Sequence, residues 1–252
     1  MWIAALSIFI FLIYKKRTDF NLKQNSWKIL LAGGIIAAHW VTLFQAIKIS
    51  NISVALSCLS TGAFFGSILD PIINKRALNW REMVLGIIVI IGLSLIFGFN
   101  SQYREGIIMA LISAFLSTCF TIVNANMVKT STPYRITFLE MLGGWLLLSL
   151  FLAICGQLSI SLISLNINDW LWVAVLGVLC TAYAFIENVN LMKQISPFTF
   201  LLAINLEPVY GIILALFIFG QQEVMGLSFY VGTLLVLSTV FIEAFLKKKH
   251  KL

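Results

Sequence analysis

Long stretches of this chain are apolar on every helical face, with short polar punctuation between them. Runs such as Leu85 to Phe99 and Ile212 to Gly220 show no alternation of period 2, so they predict helices rather than the strands of a closed barrel. Reading for such runs gives segments at about 1–14, 29–47, 52–73, 83–99, 106–127, 134–154, 170–191, 198–219 and 227–246. The first is short. Met1 to Tyr14 would span about 21 Å as a helix against a hydrocarbon core of about 30 Å. It carries no basic residue before it, so it is a poor secretory signal, and it predicts a further helix upstream of Met1.

Composition sharpens the picture. Of 252 residues 60% are apolar and 11% charged, with a mean hydropathy of +0.99. Soluble domains carry about 25% charged residues. Too little polar surface remains to face water, which predicts an all-α polytopic membrane protein. The net charge of +7 would suit nucleic acid if it formed one face, but it sits in short clusters between the apolar runs. Nucleic acid is therefore not an expected partner; the lipid bilayer is. With Lys15, Lys16, Arg17, Lys23 and Lys28 placed in the cytoplasm, alternation puts 15 of the 17 basic residues inside and leaves Lys48 and Arg104 outside. The C-terminus, with Lys247 to Lys249 and Lys251, then lies in the cytoplasm, and the membrane is the cell's own.

Cys58, Cys119, Cys155 and Cys180 are scattered through apolar runs without metal-ligand spacing. Walker A, HExxH and GxSxG patterns are absent, so neither ATP hydrolysis nor enzymatic chemistry is expected, nor any metal or cofactor.

The chain also repeats. An offset of 143 places Trp27 on Trp170, Trp40 on Tyr183, and Ile52-Ser53 on Ile195-Ser196. A small shift then brings Thr61-Gly-Ala-Phe-Phe-Gly66 onto Leu206-Glu-Pro-Val-Tyr-Gly211, and Gly86 onto Gly232. Under the topology above the helix near residue 29 and its mate near 170 cross in opposite directions. Inverted repeats recur in secondary transporters, around a midplane site.

The segments Ile195-Ser-Pro-Phe-Thr-Phe, Asn205-Leu-Glu-Pro-Val-Tyr-Gly-Ile-Ile-Leu-Ala-Leu216, Phe219-Gly220 and Gly232-Thr-Leu-Leu-Val-Leu237 resemble the EamA-type transporters of the drug/metabolite transporter superfamily. Ser53-Val-Ala-Leu and Gly86-Ile-Ile-Val-Ile-Ile-Gly92 carry the likeness into the first half. The resemblance implies two inverted five-helix repeats, residues 1–99 and 100–252, of which nine helices of ten are present and the first is missing. It departs from the family where Ala63 stands in place of a proline and Gln221, with Glu223 nearby, in place of an acid. It implies transport of amino acids, other metabolites or drugs, with export the direction favoured by analogy.

A carboxylate at mid-bilayer costs on the order of 2.5–3.5 kcal/mol on insertion scales, so each one in a span is a candidate for a partner or a cavity. Glu207 precedes Pro208, whose ring removes a backbone bond near Ile204; a break of this kind is tolerated where it lines a cavity or is packed by protein. Tyr183 and Glu187 share a helix face, as do their mates Trp40 and Phe44, and such aromatic faces suit an organic solute. With Asn205 and Tyr210 of the Glu-Pro segment they form the expected substrate-binding set. His39 beside Trp40, and Glu140, are the candidates for proton coupling; a satisfied buried histidine and a salt bridge to Arg135 are the alternatives. Asp70, beside Lys75 and Arg76, predicts an ion pair near the headgroups. Gly62 to Gly66 forms a GxxxG, and Gly143-Gly144 reads the same way: both predict intramolecular packing, with homodimerisation the alternative. These features lead to a secondary transporter of a small solute. A non-transporting subunit or assembly protein, and an intramembrane enzyme, are the competing classes.

Overall fold

The structure is a computed structural model that describes residues 1–15, 26–97, 103–158, 164–220 and 226–249. Its elements are α1 (Trp2–Tyr14), α2 (Ser26–Ile49), α3 (Ile52–Leu59), α4 (Gly62–Asn74), α5 (Trp80–Phe97), α6 (Arg104–Met127), α7 (Pro133–Ile154), α8 (Ile167–Val175), α9 (Ala184–Leu191), α10 (Pro197–Ile204), α11 (Glu207–Phe219) and α12 (Leu227–Lys249). A π-helical stretch, Leu176–Tyr183, joins α8 to α9. Strands are absent among the described residues. Five segments there are long and apolar enough to cross a membrane: Ser26–Ile49, Ile52–Asn74, Arg104–Met127, Pro133–Ile154 and Ile167–Leu191. The protein is an all-α, multi-pass membrane protein, and the expected segments coincide with its helices to within a few residues. Gln221 and Glu223 lie outside the described residues.

Two compact units divide the chain, each drawing on both halves of the sequence. The first comprises Met1–Ala37 and Val123–Gln194, the second Ala38–Ile122 and Ile195–Leu252.

In the first unit α1 packs on α7 through Phe9 on Phe138 and Phe11 on Tyr134, with ring centroids 6.1 and 5.5 Å apart. The pairing is antiparallel. Trp2, at the other end of α1, meets Trp170 edge-on at 6.3 Å. Ser26, next to Trp27, accepts a hydrogen bond from Arg135 at the Tyr134 end (2.8 Å). Trp27 and its mate Trp170 therefore stand at opposite ends of α1, as an inverted repeat requires. Where α2 crosses α7 the backbones touch: a Cβ on Gly33 would run into the Glu140 carbonyl oxygen, and one on Gly143 into that of Leu30. Glycine is required because nothing but backbone could give way.

In the second unit the repeat appears in the backbone. Segments α3–α4 and α10–α11 are both broken helices of 8 and 13 residues, offset throughout by 145 (Asn51 to Ser196, Leu59 to Ile204, Gly62 to Glu207). The caps correspond: Asn51 accepts from the Val54 N–H, and Ser196 from that of Thr199. The sequence alignment at 143 is thus corrected at this point, because the extra turn residues precede the cap. The contacts are reciprocal as well. The Leu201 side chain lies against Gly66, and Leu56 against Gly211, each leucine and each glycine being the other's mate. Such exchange is the signature of a local two-fold axis, and it makes the two broken helices antiparallel.

Candidate functional site at the paired helix breaks

The breaks fall at Ser60–Thr61 and Asn205–Leu206, which are mates. Both are tightened by i→i−3 bonds at matching places, from the N–H of Ser60 to Ser57 and of Thr61 to Cys58, and from Asn205 to Leu202 and Leu206 to Ala203. In α11 the cause is Pro208, which has no N–H to offer the preceding turn. Its mate is Ala63, which has one, yet the first break persists. There the Thr61 hydroxyl donates to the Cys58 carbonyl (2.7 Å), and the Thr118 hydroxyl of α6 donates to that of Gly62 (3.1 Å). Side-chain hydroxyls compete with the helix for its own carbonyls.

At each break one polar side chain is buried with an atom that no protein group satisfies: the Ser60 Oγ and the Asn205 Nδ2. Ser57, one turn before Ser60, and Thr121 on α6 are in the same condition. Buried polar groups are otherwise paired as a rule, since an unmet one costs about 1–3 kcal/mol. Glu207 opens α11, its carboxylate placed at the end of a helix that favours negative charge, and it is exposed, as is Tyr210 one turn on. Phe44 is exposed and Trp40 half-buried on α2 in the same unit.

His39 precedes Trp40 and is held to α6. Its Nδ1 donates to the Ser113 carbonyl (2.9 Å), the Ser113 hydroxyl donates back to the His39 carbonyl (3.1 Å), and the ring stands edge-on to Phe120 at 5.5 Å.

The remaining predicted residues belong to the first unit. Tyr183, the last π-helical residue, is exposed, and Glu187 is half-buried one turn later. π-turns inside α-helices gather at functional sites, and sequence periodicity gave no sign of this one. Glu140 is fully buried on α7, and neither carboxyl oxygen meets a hydrogen-bond donor. Arg135 bonds Ser26 and Ser131 instead, since five residues along a helix turn the side chains some 140° apart.

At the edge of the second unit, Asp70 pairs with Arg76 as the sequence predicts (2.8 Å), and Glu82 joins from α5 (2.8 Å).

Broken antiparallel helices carrying unpaired polar groups, in a multi-pass helical bundle, are features that transporter folds share. The profile of the EamA-like transporter family matches residues 1–98 and 104–244, and the chain belongs to that family. It is similar to the "Uncharacterized transporter YxxF" of Bacillus subtilis (strain 168), with 23% identity over 204 residues that take in 79% of this chain. The matched region spans 64% of that relative's length. A solved crystal structure superposes with a TM-score of 0.71 over 99% of this chain and 86% of its own, at 14% identity, and so shares the fold.

Proposed function

We propose that the protein is a secondary transporter that moves a small organic solute across the cytoplasmic membrane by alternating access, with export the favoured direction and the C-terminus in the cytoplasm. The observation that carries this reading is the pair of reciprocal breaks. Ser60 and Asn205 present hydrogen-bonding groups that the fold itself leaves unmet, at equivalent places on two antiparallel segments. A solute with hydroxyl, amide or carboxyl groups supplies what they lack, while Trp40, Phe44 and Tyr210 offer aromatic surface and Glu207 an acceptor for an amino or other cationic group. An amphipathic metabolite or amino acid fits that mixture better than a hydrocarbon.

The test is counterflow in proteoliposomes preloaded with candidate amino acids and metabolites. Uptake of the labelled solute should exceed that of empty liposomes and fall about tenfold in Asn205→Ala, the loss of one well-placed hydrogen bond. Absence of counterflow for every solute class, or full activity in Asn205→Ala together with Ser60→Ala, would overturn the reading.

A further inference from the structure

Four side-chain atoms of the first unit are buried with no partner, and all are oxygens: Oε1 and Oε2 of Glu140, Oδ1 of Asn124 and Oγ1 of Thr137. They come from two neighbouring places. Thr137 and Glu140 are one turn apart on the same face of α7, and the Asn124 side chain near the end of α6 lies beside the Glu140 carboxyl without forming a hydrogen bond of good geometry. All three residues are sealed from the surface, at 0–1% exposure. Elsewhere in this unit, among the described residues, every buried side-chain nitrogen or oxygen finds a partner.

We propose that Glu140, Asn124 and Thr137 form a site for a monovalent cation, H⁺ or Na⁺, whose binding is coupled to transport. The chemistry of the atoms carries this. A carboxylate, an amide oxygen and a hydroxyl oxygen are hard donors of the kind that hold Na⁺, and a proton on the carboxyl would give the Asn124 oxygen the donor it lacks. Neither a salt bridge nor a hydrogen bond neutralises the carboxylate. The titratable groups on elements packed against α7 are engaged elsewhere or stand apart. Arg135 bonds Ser26 and Ser131, Lys28 lies over the Trp27 ring at 5.6 Å, and Tyr134 stacks on Phe11. Tyr14, Glu187, the amino group of Met1, His39 and Lys48 of α2, and Arg104 and Glu105 of α6 do not bond to Glu140 either. Close packing surrounds the backbone that carries the site: Gly33 brings α2 onto the Glu140 backbone, and Met1 covers Gly144 on the next turn.

The role in coupling rests on the transporter reading, but the site can be tested without a solute. Purified full-length protein in lipid nanodiscs is examined by infrared difference spectroscopy for the carbonyl stretch of a protonated carboxylic acid. In the wild type this band should vanish as pH is raised. If NaCl, but not choline chloride, removes it at fixed pH and ²²Na⁺ is retained on the protein, the cation is Na⁺; if only pH removes it, the cation is H⁺. Glu140→Gln should lack the response, while Asn124→Leu and Thr137→Val should shift its midpoint about tenfold in cation concentration, as loss of one ligand oxygen requires. A response unchanged in Glu140→Gln, or in both neighbours should that variant fail to fold, would overturn the proposal, as would a band that neither pH nor Na⁺ moves. Normal counterflow alongside such a failure would sink the cation site and leave the transporter reading standing. A normal cation response without counterflow would do the reverse.

Discussion

The Leu201 side chain occupies the space that a Cβ on Gly66 would need, its Cδ1 2.6 Å from that position. Leu56 and Gly211 repeat the contact with the partners exchanged. Because the obstructing atom is the flexible tip of a leucine, Gly66→Ala and Gly211→Ala should each cost about 1 kcal/mol, and each should be rescued by trimming its own leucine and not the other. Gly33→Ala differs, since its Cβ would meet the carbonyl of Glu140 and the N–H of Gly144. It should cost about 3 kcal/mol, with no side-chain rescue. Thermal unfolding of the purified variants in detergent separates the two behaviours.

The break before α4 predicts an unusual tolerance. Proline in a helix interior costs about 3 kcal/mol or more. The N–H of Ala63 makes only a long bond to the Ser60 carbonyl, 3.3 Å, and its mate already is a proline. Ala63→Pro should therefore leave stability within about 1 kcal/mol of wild type, whereas proline at Ala110, inside unbroken α6, should cost the full amount. Equal damage at both sites would refute the hydroxyl-held break.

Arg76 closes the turn between α4 and α5 through Nε and Nη2 to Asp70 (3.1 and 2.8 Å) and Nη2 to Glu82. Burial opposes its charge, but the hydrogen bonds to Glu82 and Asp70 outweigh burial and hold its pKa above the ordinary arginine value. A raised pKa means that the stabilisation is present throughout the range below the ordinary arginine pKa. Arg76→Gln should lower unfolding stability by on the order of 1–3 kcal/mol, equally at pH 6 and pH 8. Lysine, a point charge without the planar fork, should restore only part of it.

For His39 the bonds to Ser113 predict a packing effect. His39→Phe leaves the buried Ser113 carbonyl without its side-chain donor and should cost about 1–3 kcal/mol, while His39→Gln, which can still donate, should cost less. If His39→Gln also abolished pH-dependent transport while leaving stability intact, a proton role for this ring would gain support.

The apolar runs made the fold legible because a spanning helix must satisfy its backbone within itself, so length and hydrophobicity alone locate it. Gly143-Gly144 and the Glu-Pro pair were legible for the same reason: few residue types can do what those positions demand. The first break was not. Ala63 removes the proline that signals such a feature, and Thr61 creates it through a hydroxyl bond that no periodicity records. Ser60 was recoverable only as the mate of Asn205, once the cap at Asn51 had fixed the offset. Asn124 and Thr137 read as ordinary small polar residues, and only their burial beside an unpaired carboxylate distinguishes them. The Glu82 contact to Arg76 escaped because it joins two helices through a turn.

In the proposed transporter the paired breaks face the path taken by solute. The direct measurement is thiol labelling of Ser60→Cys and Asn205→Cys, each in a protein whose four native cysteines are replaced, in membrane vesicles of both orientations with a membrane-impermeant maleimide. Both cysteines should react from at least one side, and a transported solute should slow the reaction. Two thiols inert from both sides, with or without solute, would mean that these groups never meet water, and that the breaks are packing features of a sealed core.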